Sequence, residues 1–377
     1  MKIIIAPDKF KGSLTSFAVC EAITKGIRRV IRSVEIISFP MADGGDGFAA
    51  ILQHYYKTIT IHCNSVDPLN RPIAASWQWN ENNKTAIIEM AVASGLVLLK
   101  EDERNALKTS SFGTGILIKA ALDKGAEKII LGLGGSATND AGIGILAALG
   151  FQFLDDNNIL LSPVGENLLL IRKIIPPASL SSVAIEIACD VQNILYGPQG
   201  AAFIYAPQKG ADEKAVKLLD EGLKNFASII KEQTGKDIAT IPGTGAAGGI
   251  AAGLMAFFNV SLKKGTDMLI QASRIEAAIH NTDLIITGEG KMDMQTLDGK
   301  VVDKISALAG ENKIPVIAFC GIAEEKELLM KKMNLIHIES LVSKDISKED
   351  AILNAETILV KKAEEVCRRN IASLFSQ

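Results

Sequence analysis

Short apolar runs alternate along this chain with longer segments whose apolar positions recur at helical spacing. KIIIA, residues 2–6, is rich in β-branched residues and predicts a buried strand. After it, Cys20, Ile23, Ile27, Val30 and Ile31 fall on one helical face. VEIISF predicts a second strand, and a helix over about 46–56 follows a glycine-rich loop. This β-loop-α-β-loop-α order is the signature of a parallel sheet.

The rhythm then breaks. TITIHC, IAASWQW and TAIIEM are strand-like runs separated only by turn residues. Strands without intervening helices predict an antiparallel meander, hence a different or inserted domain. The α/β rhythm resumes at Phe112 with a helix, the strand EKIILGLGG and a helix through AGIGILAALG. FQFLD opens another irregular stretch, VAIEIACD is a strand ending in an acid, and a long helix spans about 212–231. DLIITGEG enters a glycine loop. A helix from about Lys300, strands at IPVIAFCG and NLIHIES, and a closing helix capped by SKED (Ser347, Asp350) complete the chain. The uncharged stretch 238–262 contains Pro242 and many small residues, so it reads as a glycine loop entering a buried helix rather than a membrane span.

Composition supports this picture. With 377 residues, 48% hydrophobic but only 5% aromatic, the apolar mass is Ile, Leu, Val and Ala, which suits buried parallel strands covered by helices. A net charge of -3 with interspersed signs gives no reason to expect nucleic acid or a membrane as partner. The five cysteines are scattered, without CxxC spacing, and the four histidines are unpaired, which argues against zinc and for a reducing compartment. MKIIIAPDKF lacks the long apolar run of a signal peptide, so the expected location is cytoplasmic.

One pattern recurs. The apolar strands run into APDKFKGS, PMADGGDG, GLGGSATNDAG, ACDVQN and TGEGKMDMQT, loops rich in Gly, Asp, Lys and Ser. In open parallel sheets, ligands bind just beyond the carboxyl ends of the strands. GLGGSATNDAG follows a strand and opens a helix, where free N–H groups suit an anion. It lacks the P-loop ending but contains Gly132-x-Gly134-x-x-Ala137, with Asp155 about 20 residues on, so a nicotinamide-dependent dehydrogenase of a hydroxy acid is the rival reading. Asp8, Lys9 and Lys11 suit phosphate or carboxylate binding. Asp190 and Asn193 follow a strand, where a cap and a catalyst are both open. Glu289, Lys291, Asp293, Gln295 and Thr296 offer hard oxygen ligands and a cation, which fits magnesium and phosphate better than hydride chemistry.

Together, APDKFKGSLTS, PMADGGDG, GLGGSATNDAG, ACDVQN, GPQGAAFIYAPQKGA and GEGKMDMQTLDGK resemble the signature segments of the bacterial type I glycerate kinases, in order and over essentially the whole chain. Met294 departs from the family's DSQT. The resemblance implies phosphorylation of D-glycerate by ATP with Mg2+, at the 2-hydroxyl. It also implies two α/β domains with the active site in the cleft between them. One would be flavodoxin-like, with a parallel sheet formed by both chain ends (1–57, 105–150, 263–377). The other would be inserted and partly antiparallel (58–104, 151–262). Asp190 would orient the glycerate hydroxyl and accept its proton, and Lys9 and Lys11 would hold the transferring phosphate or the glycerate carboxylate. Substrate or phosphate contacts would come from Asp8, Ser13, Gly134, Gly135, Ser136, Asn139, Asp140, Asn193, Lys291, Gln295 and Thr296. Nucleotide contacts would come from Gly44, Gly45, Gly47, Gly288, Glu289 and Gly290, and metal contacts from Asp43, Asp46 and Asp293, with Asp8 a further candidate for metal or ribose. A DGGDG loop would bring small backbone and carboxylates together. A homodimer is one option for assembly.

Overall fold

The computed structural model describes residues 1–43 and 47–371. The strands, in chain order, are β1 (Lys2–Pro7), β2 (Glu35–Ser38), β3 (Ile59–Val66), β4 (Pro72–Asn80), β5 (Thr85–Glu89), β6 (Lys128–Gly132), β7 (Gln152–Leu154), β8 (Lys173–Ile175), β9 (Ala184–Ala188), β10 (Asn259–Lys263), β11 (Leu284–Met292), β12 (Val316–Ala323) and β13 (His337–Ser340). The chain divides into two compact units, residues 1–43 with 265–377 and residues 44–264.

The first unit is an α/β layer structure around the parallel sheet β13-β12-β11-β1-β2. Its central strands are continuous apolar runs, as strands covered on both faces must be: Ile3, Ile4 and Ile5 of β1 and Leu284, Ile285 and Ile286 of β11 are fully buried. One helix layer pairs Ser16–Arg28 with Ala355–Val366. They approach closely because Gly26 has no side chain: a Cβ there would lie 2.6 Å from that of Ala363. The closing helical region opens at the expected cap, where Ser347 Oγ accepts from the Asp350 N–H at 3.1 Å and donates to its carboxylate at 2.8 Å. It is broken at Asn354 rather than continuous, with helices Lys348–Leu353 and Ala355–Val366 on either side.

The second unit holds the mixed sheet β10-β9-β6-β5-β4-β3. The predicted meander is there: β3, β4 and β5 pair antiparallel, and β5, β6, β9 and β10 continue in parallel. Residues 47–57 and 105–150, expected with the chain ends, group instead with this unit, the latter because β6 pairs with β5 and β9. An apolar parallel strand followed by a glycine loop reads alike in either sheet, and its sequence does not name its partner. Among the described residues, no helix is long and apolar enough to cross a membrane. The stretch beginning at Ile238 passes through a loop into the buried helix Ala246–Phe257 and strand β10.

Candidate functional site

The first unit's sheet has one topological switch point. From β1 the chain moves outward to β2, and from β11 it moves outward the other way to β12, so a crevice opens beyond the carboxyl ends of β1 and β11. A cavity of about 400 Å³ lies there. Asp8, the first residue after β1, is tied to β11 by its N–H, which donates to the Gly288 carbonyl at 2.8 Å. Its carboxylate accepts from the Lys9 N–H at 2.6 Å. Only 6% of Asp8 is exposed. Burial first, then the charge of Asp43, pushes its carboxyl up to about 7, against the pull of Lys9. Glu289, on β11, is also pushed up to about 7 by burial; the Thr296 hydroxyl, donating at 2.5 Å, and Lys300 oppose this.

Lys9, Lys11 and Lys300 bring cations to the crevice that holds these acids, and Ser13, Asp43, Gly290 and Lys291 line it too. Another part of its wall is apolar: Leu341, Val342, Ala351 and Ile352. Such a crevice can bind a polyanion through lysine, share a divalent cation with it through carboxylate, and cover a flat group with the apolar wall.

The structure redistributes several expected roles. Thr296 is fully buried; its hydroxyl donates to Glu289 and accepts from the Asp293 N–H at 3.1 Å, so it orients that acid. Asp293 caps the short helix Met294–Leu297, accepting from the Gln295 N–H at 2.9 Å, and pairs with Lys291 at 3.0 Å. Burial would raise its carboxyl, but Lys291 and the cap bond hold it below the usual range. Lys291 also pairs with Glu324 at 3.0 Å, and the Gln295 side chain is exposed. Gly288 is a packing residue, since a Cβ there would strike the Phe319 carbonyl. Gly290 lets β11 approach the loop after β1, with Lys11 N 3.0 Å from where a Cβ would be. Gly44, Gly45 and Asp46 lie outside the described residues. Gly47 has φ 89° and starts the helix Phe48–Tyr56, whose Ala49 N–H donates to Glu89 at 3.1 Å. No three His, Cys, Asp or Glu side chains among the described residues form a ready-made metal cluster.

The second unit carries its own polar edge. In the register of the parallel strands, Gly132 of β6 pairs with Ala188 of β9 and with Glu89 of β5. Residues 134 and 190 therefore stand two positions beyond matched residues on adjacent strands, at the same carboxyl edge. Asp190 is exposed there, as are Gly134 and Gly135. Gly135 takes φ 70°, a left-handed turn open to glycine. Ser136 is 7% exposed.

Other residues of these loops turn inward. Asp140 is fully buried and accepts from the Ser111 N–H (2.7 Å), the Ser111 hydroxyl (2.8 Å), Gly142 N–H (3.0 Å) and Gly144 N–H (3.3 Å). Burial raises its carboxyl and those donors oppose the rise; its bonds organise the loop. Asn139 is also fully buried, and both its amide atoms lack a hydrogen-bond partner. Asn193 spends its side chain locally, donating to Gln199 O at 2.8 Å and accepting from Tyr205 OH at 2.6 Å. Asp155 accepts from the N–H groups of Asn157 and Ile159 at 2.9 and 2.8 Å, after β7 of a separate two-stranded sheet. A ribose-binding acid would instead end a parallel strand beside the glycine loop, so the dinucleotide reading loses its second half.

Lys209 was not anticipated from the sequence. It is 1% exposed, and its Nζ donates to Ser136 Oγ at 2.8 Å and to the Thr138 carbonyl at 2.7 Å. Burial pushes its amine down to about 7, against the charge of Asp140. A lysine in the segment APQKG reads as solvated; only its place inside a signature segment hinted otherwise.

Comparison with known proteins matches residues 3–370 to the glycerate kinase family. The chain belongs to that family. A glycerate kinase of Halalkalibacterium halodurans is 40% identical over 99% of this chain and 98% of its own length. A glycerate 2-kinase of Escherichia coli K12 is 38% identical over 100% and 98%. The crystal structure of a protein with the provisional name glycerate kinase 2, from Salmonella typhimurium LT2, covers 99% of each chain with TM-score 0.87 and 36% identity. The fold, a two-ended parallel sheet with an inserted mixed sheet, is that of a glycerate kinase structure, and the chain is a phosphotransferase of that family that uses ATP. The dehydrogenase reading is set aside.

Proposed function

We propose that this glycerate kinase transfers the terminal phosphoryl group of ATP to the 2-hydroxyl of D-glycerate, giving 2-phosphoglycerate and ADP. The finer choice of hydroxyl is supported by the relative named glycerate 2-kinase. The observation that carries the assignment of roles is the crevice at the switch point of β1 and β11, where Asp8, Asp43 and Glu289 meet Lys9, Lys11 and Lys300 beside an apolar wall. That chemistry suits the nucleotide: lysines on the phosphates, the apolar wall on the base. Magnesium uses one or two carboxylates and completes its shell with water and phosphate oxygens, so a partial set fits it. Asp8, Asp43 and Glu289 would hold it, and when bound it would neutralise phosphate charge. Asp8 and Glu289, pushed up to about 7 by burial, would ionise fully as the cation binds.

Glycerate belongs, in this reading, to the carboxyl edge of β6 and β9. Asp190 accepts the proton of the 2-hydroxyl late in a loose transition state, where positioning matters more than base strength. Lys9 and Lys11 hold the group being transferred. An ADP-release assay tests the reading: turnover should need both D-glycerate and a divalent cation, stop with EDTA, and return with magnesium or manganese. Full turnover in metal-free buffer would reject the metal assignment, and ADP release independent of glycerate would reject the substrate.

A further inference from the structure

We propose that Lys209 is a positioning residue that makes Ser136 the donor for the glycerate carboxylate. The proposal rests on the functional reading above, in which the edge of β6 and β9 takes glycerate.

A serine hydroxyl has one proton to give. Lys209 Nζ already donates to Ser136 Oγ at 2.8 Å, so the hydroxyl is fixed as an acceptor on that side and its own proton must go elsewhere. The second bond of Lys209, to the Thr138 carbonyl at 2.7 Å, clamps the loop two residues further on. The exposed neighbours of Ser136 are Gly134 and Gly135, where a small anion can approach backbone unhindered. An ammonium behind a hydroxyl strengthens that hydroxyl as a donor, and a buried ammonium is screened little by salt. The setting is costly: Lys209 is 1% exposed, and on the same loop Thr138 Oγ1 and both amide atoms of Asn139 are buried without partners. A tie between two loops needs hydrogen-bond donors but no charge. Burial pushes the amine down to about 7, so a bound anion would help keep it protonated. Asp190 stands at the same edge, beyond the strand that neighbours β6. A three-carbon acid held by its carboxylate at Ser136 could offer its 2-hydroxyl to that aspartate.

The test uses the full-length enzyme with Lys209→Met, Ser136→Ala and the double variant, measuring steady-state kinetics and calorimetric binding of glycerate and ATP. Each single variant should raise KM and Kd for glycerate by about 10- to 100-fold, the range of a charge-assisted hydrogen bond. KM for ATP should stay within a few-fold. Because Lys209 acts through Ser136, the double variant should be no worse than the worse single one. Glycerate affinity within about 2-fold of wild type in both singles, losses that multiply in the double, or a loss confined to ATP would each overturn the proposal. If Lys209→Met fails to fold by circular dichroism, Ser136→Ala alone decides, and unchanged glycerate affinity overturns it. A wild-type enzyme that neither binds nor phosphorylates glycerate would reject the functional reading instead, which separates the two failures.

Discussion

Thr296 Oγ1 donates to Glu289 Oε1 across 2.5 Å, and the same hydroxyl accepts from the Asp293 N–H at 3.1 Å. A buried threonine thus links the cap of a short helix to a buried acid of the β1/β11 crevice. The bond stabilises the ionised form of Glu289 against burial. Thr296→Val keeps the shape and removes the donor. The Glu289 carboxyl should then rise above about 7, and the acid limb of kcat/KM should move to higher pH. A pH–rate profile unchanged in Thr296→Val would show that Glu289 need not be ionised for turnover.

The two raised acids set the sign of the pH dependence of stability. Asp8 and Glu289 both titrate near 7 in the fold, against 3.8 and 4.5 for ordinary groups, so between about 4 and 7 the folded chain holds more protons than the unfolded one. Where the native state binds more protons, stability falls as pH rises. Their contribution is largest below the ordinary carboxyl range and is lost as pH rises through 7, the reverse of a salt-bridged carboxylate. Asp8→Asn should therefore raise the apo enzyme's Tm at pH 8 by at least about 3 °C and show less gain at pH 5. Thermal melts at the two pH values check this; a lower Tm at pH 8 would count against the burial account.

Asp140 is expected to act through structure alone. Asp140→Ala would leave the Ser111 N–H and the Gly142 and Gly144 N–H groups without their acceptor inside the protein. Stability should drop by about 3 kcal/mol or more in denaturant unfolding. A variant as stable as wild type but unable to bind glycerate would return Asp140 to the binding residues.

Asp190→Asn should fold, because the side chain is exposed and the replacement is nearly isosteric. It cannot accept the hydroxyl proton at neutral pH. We expect kcat to fall by about 10²–10⁴-fold with ATP affinity kept, as for loss of a general base. A fall of less than about 10-fold would leave Asp190 as a strand-end residue without a proton to move.

Much of this was readable before the structure. Ile3–Ile5 and Leu284–Ile286 announce buried parallel strands because both faces must be apolar. The meander was legible because only turn residues separate β3, β4 and β5. Sheet membership was not: Lys128–Gly132 looks the same whichever strand it pairs with. Within the loops, the residue types were legible but their direction was not. Asp140 and Asn193 carry the chemistry of ligand-binding residues, and their loops turn them to hydrogen bonds of their own. Lys209 shows the converse. Its segment is polar, and only the fold carries the lysine inside, to Ser136.

The claim on which the rest depends is regiospecific phosphoryl transfer. Phosphorus NMR of the enzyme with ATP, magnesium and D-glycerate tests it most directly. The account predicts 2-phosphoglycerate accumulating in step with ADP. Accumulation of 3-phosphoglycerate as first product, or no ester of glycerate at all, would contradict it.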